Sequence, residues 1–187
     1  MSITRFQLTA VGIALAAACL VAPDFLAAQD SRPTDYQVKA AYLTNLGRFV
    51  NQWSAKTGSP DETFDICVLG QDPFGPDLDR AVKGEKIGAS PLAAKRIPAP
   101  QDVAGCRVLY ISGSGDTQLS AVLAALGTAP VLTVSDSPDF VKRGGMIQFV
   151  LDGDHVRFEI NIAAARRAGL TLSSELLKLA RTVRRTP

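Results

Sequence analysis

Histidine is nearly absent from this chain and cysteine is scarce. There is one histidine, His155, and there are three cysteines among 187 residues. A structural zinc site wants four nitrogen or sulfur ligands, so no metal site is expected. Charge of one sign is lacking too: 20 Lys and Arg stand against 18 Asp and Glu, a formal net charge of +2. So weak a balance argues against a nucleic-acid binder. No internal repeat or low-complexity block is visible. Gly113-Ser114-Gly115 is not a dinucleotide fingerprint, because Gln118 stands where the third glycine belongs. It is not a nucleophile elbow either, which needs one residue on each side between glycine and serine. Gly70 to Pro76 follows a strand as a phosphate loop would, but Asp72 and Asp77 oppose an anion. With no metal set, phosphate loop or triad, binding is better supported than catalysis, and no cofactor is expected. A two-carboxylate hydrolase using Asp136 and Glu159 is the remaining enzymatic alternative.

Long apolar runs are missing beyond one near the start. Leu8 to Val21 follows Arg5 and precedes the small-residue site Leu26-Ala27-Ala28. This predicts a cleaved secretory signal peptide over residues 1–28 and a single mature domain over 29–187. A retained anchor and a lipoprotein processed at Cys19 are the alternatives. Export would place the remaining cysteines, Cys67 and Cys106, in an oxidising compartment, where an even set usually pairs. Both lie in apolar strand-like segments, and they are either bridged or two buried thiols.

What the chain has is alternation of strands and helices. Helices are predicted at Tyr36 to Trp53, Asp77 to Val82, Thr117 to Leu126, Ile162 to Ala168, and from Ser173 through Val183, with a short helical piece at Pro138 to Lys142. In the first helix Val38, Ala41, Tyr42, Leu46 and Phe49 form the apolar face and Lys39 lies opposite. Strands are predicted at Phe64 to Leu69, Arg107 to Ser112 and Pro130 to Val134, with an irregular edge segment at Ile87 to Ile97. The order implies an α/β fold: a single-domain layered sandwich with central parallel strands, a C-terminal antiparallel hairpin and helices on both faces of a mixed sheet.

Gly144 to Asn161 is that hairpin. Val156, Phe158 and Ile160 alternate with Arg157, Glu159 and Asn161, the strand period. A two-residue turn at Asp152-Gly153 would set Phe149 opposite Val156, Gln148 opposite Arg157 and Met146 opposite Glu159. The polar row on the second face then needs partners, since an unpaired buried charge is costly. Glu159 pairing with Arg48 or Arg157 and Asp136 capping the next turn would be structural uses of those groups.

VKAAYLTNLGRFVNQW (38–53), ICVLGQDPFG (66–75), CRVLYIS (106–112), PVLTVSD (130–136), GGMIQFV (144–150) and VRFEINIAAARRAGLTLSSELLKLA (156–180) resemble the YfiR-like periplasmic proteins, in that family's order. The resemblance implies a compact α/β regulator able to dimerise. It implies a bridge between Cys67 and Cys106, while the second bridge that some members carry near the last hairpin is missing. It implies repression of an inner-membrane diguanylate cyclase or related sensor kinase through its periplasmic region, and sequestration by an OmpA-like outer-membrane lipoprotein. Cyclic di-GMP level and biofilm formation would follow. A small-ligand or cell-wall binding module without a cyclase partner is the alternative function. Arg48, Asp136, Arg157, Glu159 and Asn161, polar residues inside the matching blocks, are the candidate binding residues.

Overall fold

A computed structural model describes residues 33–51, 53, 62–113 and 119–185. The predicted signal peptide lies outside the described residues. So does the start of the predicted third helix, at Thr117 and Gln118.

The first helix, α1 (Asp35–Leu46), begins with a capping box: the Thr34 side chain accepts from the Gln37 N–H, and the Gln37 side chain accepts from the Thr34 N–H. It ends earlier than predicted, passing into a 3-10 turn at Gly47–Phe49. Gly47 sits so close to Phe64 and Ile87 that a Cβ would overlap both side chains. Val50 is extended and bridges Leu172, which is why the helix does not run on to Trp53.

β1 (Phe64–Leu69) is buried along its whole length. It leads through α2 (Pro76–Val82) to β2 (Lys86–Ile87) and β3 (Ser90–Ile97). The predicted edge segment is thus a small antiparallel pair whose longer member runs parallel to β1. β4 (Cys106–Ile111) lies on the other side of β1, also parallel. α3 (Leu119–Leu126) and β5 (Leu132–Ser135) follow, and β5 is parallel to both β4 and β6 (Ile147–Asp152). Residues 138–142, predicted as a short helix, form turns closed by Lys142 and Arg143 N–H bonds to the Asp139 carbonyl. β7 (His155–Asn161), α4 (Ile162–Arg167), α5 (Ser174–Leu179) and β8 (Thr182–Arg184) complete the chain. The sheet order is β2-β3-β1-β4-β5-β6-β7-β8, a mixed α/β sheet as expected.

Two corrections concern the C-terminal third. The last helix stops at Leu179, and Thr182 and Val183, predicted helical, pair in parallel with β7. The outer edge of β7 offers an unfilled hydrogen-bonding row, and β-branched residues suit a strand better than a helix end. The hairpin register is also shifted by two residues: Phe149 faces Phe158, Gln148 faces Glu159 and Val150 faces Arg157. The turn is Gly153-Asp154 rather than Asp152-Gly153. Of the two, only Gly153 has positive φ, the pattern of a II′ turn rather than I′. An even shift preserves the faces, so the apolar row survives the change.

The sheet has two apolar layers. On one face Ile66, Val68, Tyr110, Val134, Phe149 and Phe158 pack with Leu43 of α1 and Leu78 of α2. On the other Leu69, Leu109, Ile111 and Phe140 pack with Leu119 and Val122 of α3. Helices therefore cover both faces. The Cys67–Cys106 disulfide joins neighbouring β1 and β4 on the second face, with Cα atoms 5.8 Å apart. The alternative of two free thiols is set aside.

Candidate functional site

α1 presents a different face from the one its apolar residues suggest. Lys39, Ala40, Leu43, Thr44 and Leu46 are buried, whereas Ala41 is exposed. Tyr36, Lys39, Ala40, Leu43 and Leu46 recur at helical spacing, so Lys39 falls inside the buried stripe. It needs a counter-charge there, and Asp136, just past the end of β5, supplies it. The Lys39 Nζ donates to Asp136 Oδ2 at 2.7 Å, and the Tyr36 hydroxyl donates to the same oxygen at 3.0 Å. The ammonium also stands 4.3 Å from the centre of the Tyr36 ring. Both partners are largely withdrawn from water, with side chains 8 % and 18 % exposed.

Burial alone would raise the Asp136 carboxyl. The Lys39 bond, the neighbouring Tyr110 and the Tyr36 bond outweigh it and hold the group below the ordinary aspartate range. Burial and then the Asp136 charge push the Tyr36 phenol up. Tyr110 is pushed up further by the same causes, so it stays protonated. Tyr110 is fully buried, and its hydroxyl makes no well-formed hydrogen bond among the described residues although Asp136 is near enough to act on it. Phe74 holds both rings edge-on, 5.6 Å from Tyr36 and 4.7 Å from Tyr110.

This cluster sits at a particular place in the topology. From β1 the chain moves to β3 on one side, then returns across to β4 on the other. The crevice between the carboxyl ends of β1 and β4 is the switch point, where open α/β sheets commonly receive ligands. A cleft of about 290 Å³ opens there, lined by Tyr36, Gln71, Asp72, Tyr110, Ser112 and Asp136. Asp72 is held on its outer side by the N–H of Phe74 at 2.8 Å and by Arg96 Nε at 2.8 Å.

The other predicted site residues do not join Asp136. Arg48 is exposed and pairs with Glu85 at 2.7 Å, not with Glu159. Asp136 bonds back to α1 rather than capping the next turn; Ser135 Oγ accepts the Ser137 N–H instead. Arg157 is exposed and Glu159 half-buried, and among the described residues neither has a side-chain hydrogen bond or ion pair. Glu159 lies opposite Gln148, which shares its row with Ser135. Asp136, one residue further on, points to the α1 side of the sheet. The two carboxylates therefore do not flank a common substrate position.

Asn161 has a structural use. Its Nδ2 donates to the Val141 carbonyl at 2.8 Å, and its Oδ1 accepts the Ala164 N–H at 3.0 Å, capping α4. Gln148 Oε1 accepts the Val141 N–H at 3.3 Å, and Thr133 Oγ1 accepts the Met146 N–H at 3.1 Å. The polar row of the hairpin thus clamps the segment between β5 and β6. Phe140 of that segment is fully buried against Gly145, where a Cβ would overlap its ring.

Sequence patterning missed Lys39, Tyr36 and Tyr110 as members of the cluster. Their signal was the three-and-four spacing of Tyr36, Lys39 and Leu43, which a charge at the middle position obscures.

A family model described as YfiR/HmsC-like matches residues 36–181. The chain belongs to the YfiR/HmsC-like family. Membership, together with a disulfide suited to an oxidising compartment, supports a periplasmic regulator. No helix among the described residues is long and apolar enough to cross a membrane. Two crystal structures share the fold with this YfiR/HmsC-like chain. One is a conserved domain protein from Vibrio cholerae O1 biovar El Tor, 12% identical, with a TM-score of 0.54 over 81% of this chain and 60% of that one. The other is an ABC domain in complex with L-Trp from Streptococcus pneumoniae, 12% identical, with a TM-score of 0.52 over 77% of this chain and 61% of that one. At that identity they speak to fold alone. The chain spans about three fifths of the length of each.

Proposed function

We propose that this protein is a periplasmic regulator that binds the periplasmic region of an inner-membrane sensor, a diguanylate cyclase or a related kinase, and holds it in its inactive conformation. The observation that carries the reading is the family match over residues 36–181. It acts by preferring one conformation of the sensor, so the strength of repression equals its differential affinity for the two. An OmpA-like outer-membrane lipoprotein that sequesters the regulator would relieve repression by competition, and self-association would set the concentration available to both.

Deleting the gene and measuring cyclic di-GMP tests this directly. A rise, reversed by supplying the gene in trans, is expected. An unchanged level in a strain that encodes a membrane cyclase beside the gene overturns it. Capture from solubilised membranes with the tagged protein should recover a sensor with a periplasmic domain.

A further inference from the structure

We propose that the basic margin formed by α4, α5 and β8 is a contact surface for an anionic phospholipid bilayer, with Leu179 inserted among the headgroups. The charge of the chain is unevenly placed. Residues 160–187 hold 6 Lys and Arg against 1 Glu, whereas residues 1–159 hold 14 Lys and Arg against 17 Asp and Glu. The fold gathers the six cations at one edge of the sheet. The Arg181 N–H bonds the Phe158 carbonyl, and Arg184 lies opposite Asn161. Asn161 caps α4, whose last turn carries Arg166 and Arg167, and α4 packs against β8. This helix is only about 9 Å long, so its last turn stays close to the strand. Lys178 and Leu179 end α5, and two residues separate them from β8.

These cations differ from most of those elsewhere. Lys39, Arg48, Lys95, Arg96, Arg107 and Lys142 each pair with a carboxylate. Among the described residues no ion pair includes Arg166, Arg167, Arg181, Arg184 or Arg185, and all but Arg184 are exposed. The acids nearby are Glu175 and Glu159. Glu175 is engaged by Ser173 and Ser174 at the start of its own helix and by Lys178 one turn on. Glu159 is half-buried opposite Thr182. The occupant follows from what stands among the charges. Leu179 is 58 % exposed, one of two large apolar side chains so placed among the described residues. A leucine flanked by cations suits a lipid interface, where the apolar side chain lies below the phosphates and the charges lie beside them. An acidic peptide strand would find only the three residues of β8 to pair with. A bilayer needs no register and takes charges at any spacing along a margin. For a regulator of a membrane sensor, the contact would confine it to the plane of its target. The inference itself rests on the charges and not on that reading.

The test is co-sedimentation of the full mature protein with vesicles of phosphatidylethanolamine and phosphatidylglycerol in equal parts, beside vesicles of phosphatidylcholine. Saturable binding to the anionic vesicles is expected, about tenfold or more weaker to phosphatidylcholine and falling steeply between about 0.05 and 0.5 M salt. Arg166→Gln with Arg167→Gln, and Arg181→Gln with Arg185→Gln, should each weaken it about 30-fold, the equivalent of two charges near an anionic surface. Leu179→Ser should weaken it about fivefold. These side chains are all exposed, so the variants keep the fold. Lys83→Gln with Lys86→Gln removes the same charge from exposed positions between α2 and β3, away from the margin, and should leave binding unchanged. Equal binding to phosphatidylcholine, no binding at low salt, unaltered affinity of either arginine pair, or an equal loss from the lysine pair would each overturn the assignment. Polyglutamate that binds as tightly as the vesicles, with Leu179→Ser unaltered, would assign the face to an acidic protein and overturn the lipid. The measurement contains no sensor, so its failure leaves the cyclic di-GMP test standing.

Discussion

The crevice and the hairpin solve the same problem by different means. Each must bury polar groups where the sheet meets a covering segment. At the crevice the fold uses charge: Lys39 and Asp136 are bound to each other, with two phenols beside them. At the hairpin it uses neutral amides: Gln148 and Asn161 each meet the backbone of Val141. A buried ion pair adds little net stability but is expensive to break from one side. A neutral amide clamp contributes modestly whichever partner is removed and does not respond to pH. The charged end is therefore suited to respond to its surroundings, and the hairpin to hold still.

The largest effect should come from the bridge at the amino end of β4. Cys67→Ala with Cys106→Ala opens a loop with a sequence separation of 39 and should cost about 4 kcal/mol in the chain-entropy model, read from urea denaturation. Next, Asp136→Ala strands a buried ammonium and should cost about 3 kcal/mol. The double change Asp136→Leu with Lys39→Met should recover most of that loss; no recovery would mean the charge itself is required for folding. Asn161→Ala removes a helix cap and a buried bond to the Val141 carbonyl, and should cost about 2 kcal/mol.

Acid separates the two regions. The folded Asp136 carboxyl titrates below its ordinary value of 3.8, so its contribution is fully present above that value. It is lost as pH falls through the lower, folded value. Between pH 5 and pH 2.5 the Asp136→Asn protein should lose less stability than the wild type, whereas Asn161→Ala should parallel the wild type. The smallest effect belongs to Arg157→Ala, an exposed side chain with no partner among the described residues, expected within about 0.5 kcal/mol of the wild type. A larger change there would require a contact that the hairpin face does not show.

Much of the fold was legible because burial on both faces leaves a continuous apolar run. Phe64 to Leu69 was predicted with the bounds it has, and β4 within one residue. The C-terminal segment was misread because the leucine spacing of α5 runs smoothly into Thr182 and Val183. Only the open edge of β7, a tertiary fact, turns them into a strand. The hairpin turn was placed one residue early because Asp-Gly and Gly-Asp are both good turn pairs, and alternation is blind to a two-residue shift. At the site, Asp136 was singled out but its partner was not. A lysine between Val38 and Ala40 looks solvated until the sheet brings an aspartate beneath it. Arg48, Arg157 and Glu159 share the blocks that carry the family resemblance without sharing a place in space, since proximity in sequence pattern says nothing of which side of a sheet a residue occupies.

The sheet ends have a consequence for how copies of the molecule meet. On one side β2 covers only the first two residues of β3, and the remaining outer edge of β3 carries Lys95 and Arg96. On the other side the last strand is three residues long and bounded by Arg181, Arg184 and Arg185. At the β8 margin a second copy would meet three strand residues set among arginines, and at the β3 margin the charges of Lys95 and Arg96 are already paired with Asp65, Asp72 and Asp79. Charged side chains along a sheet margin discourage runaway strand addition.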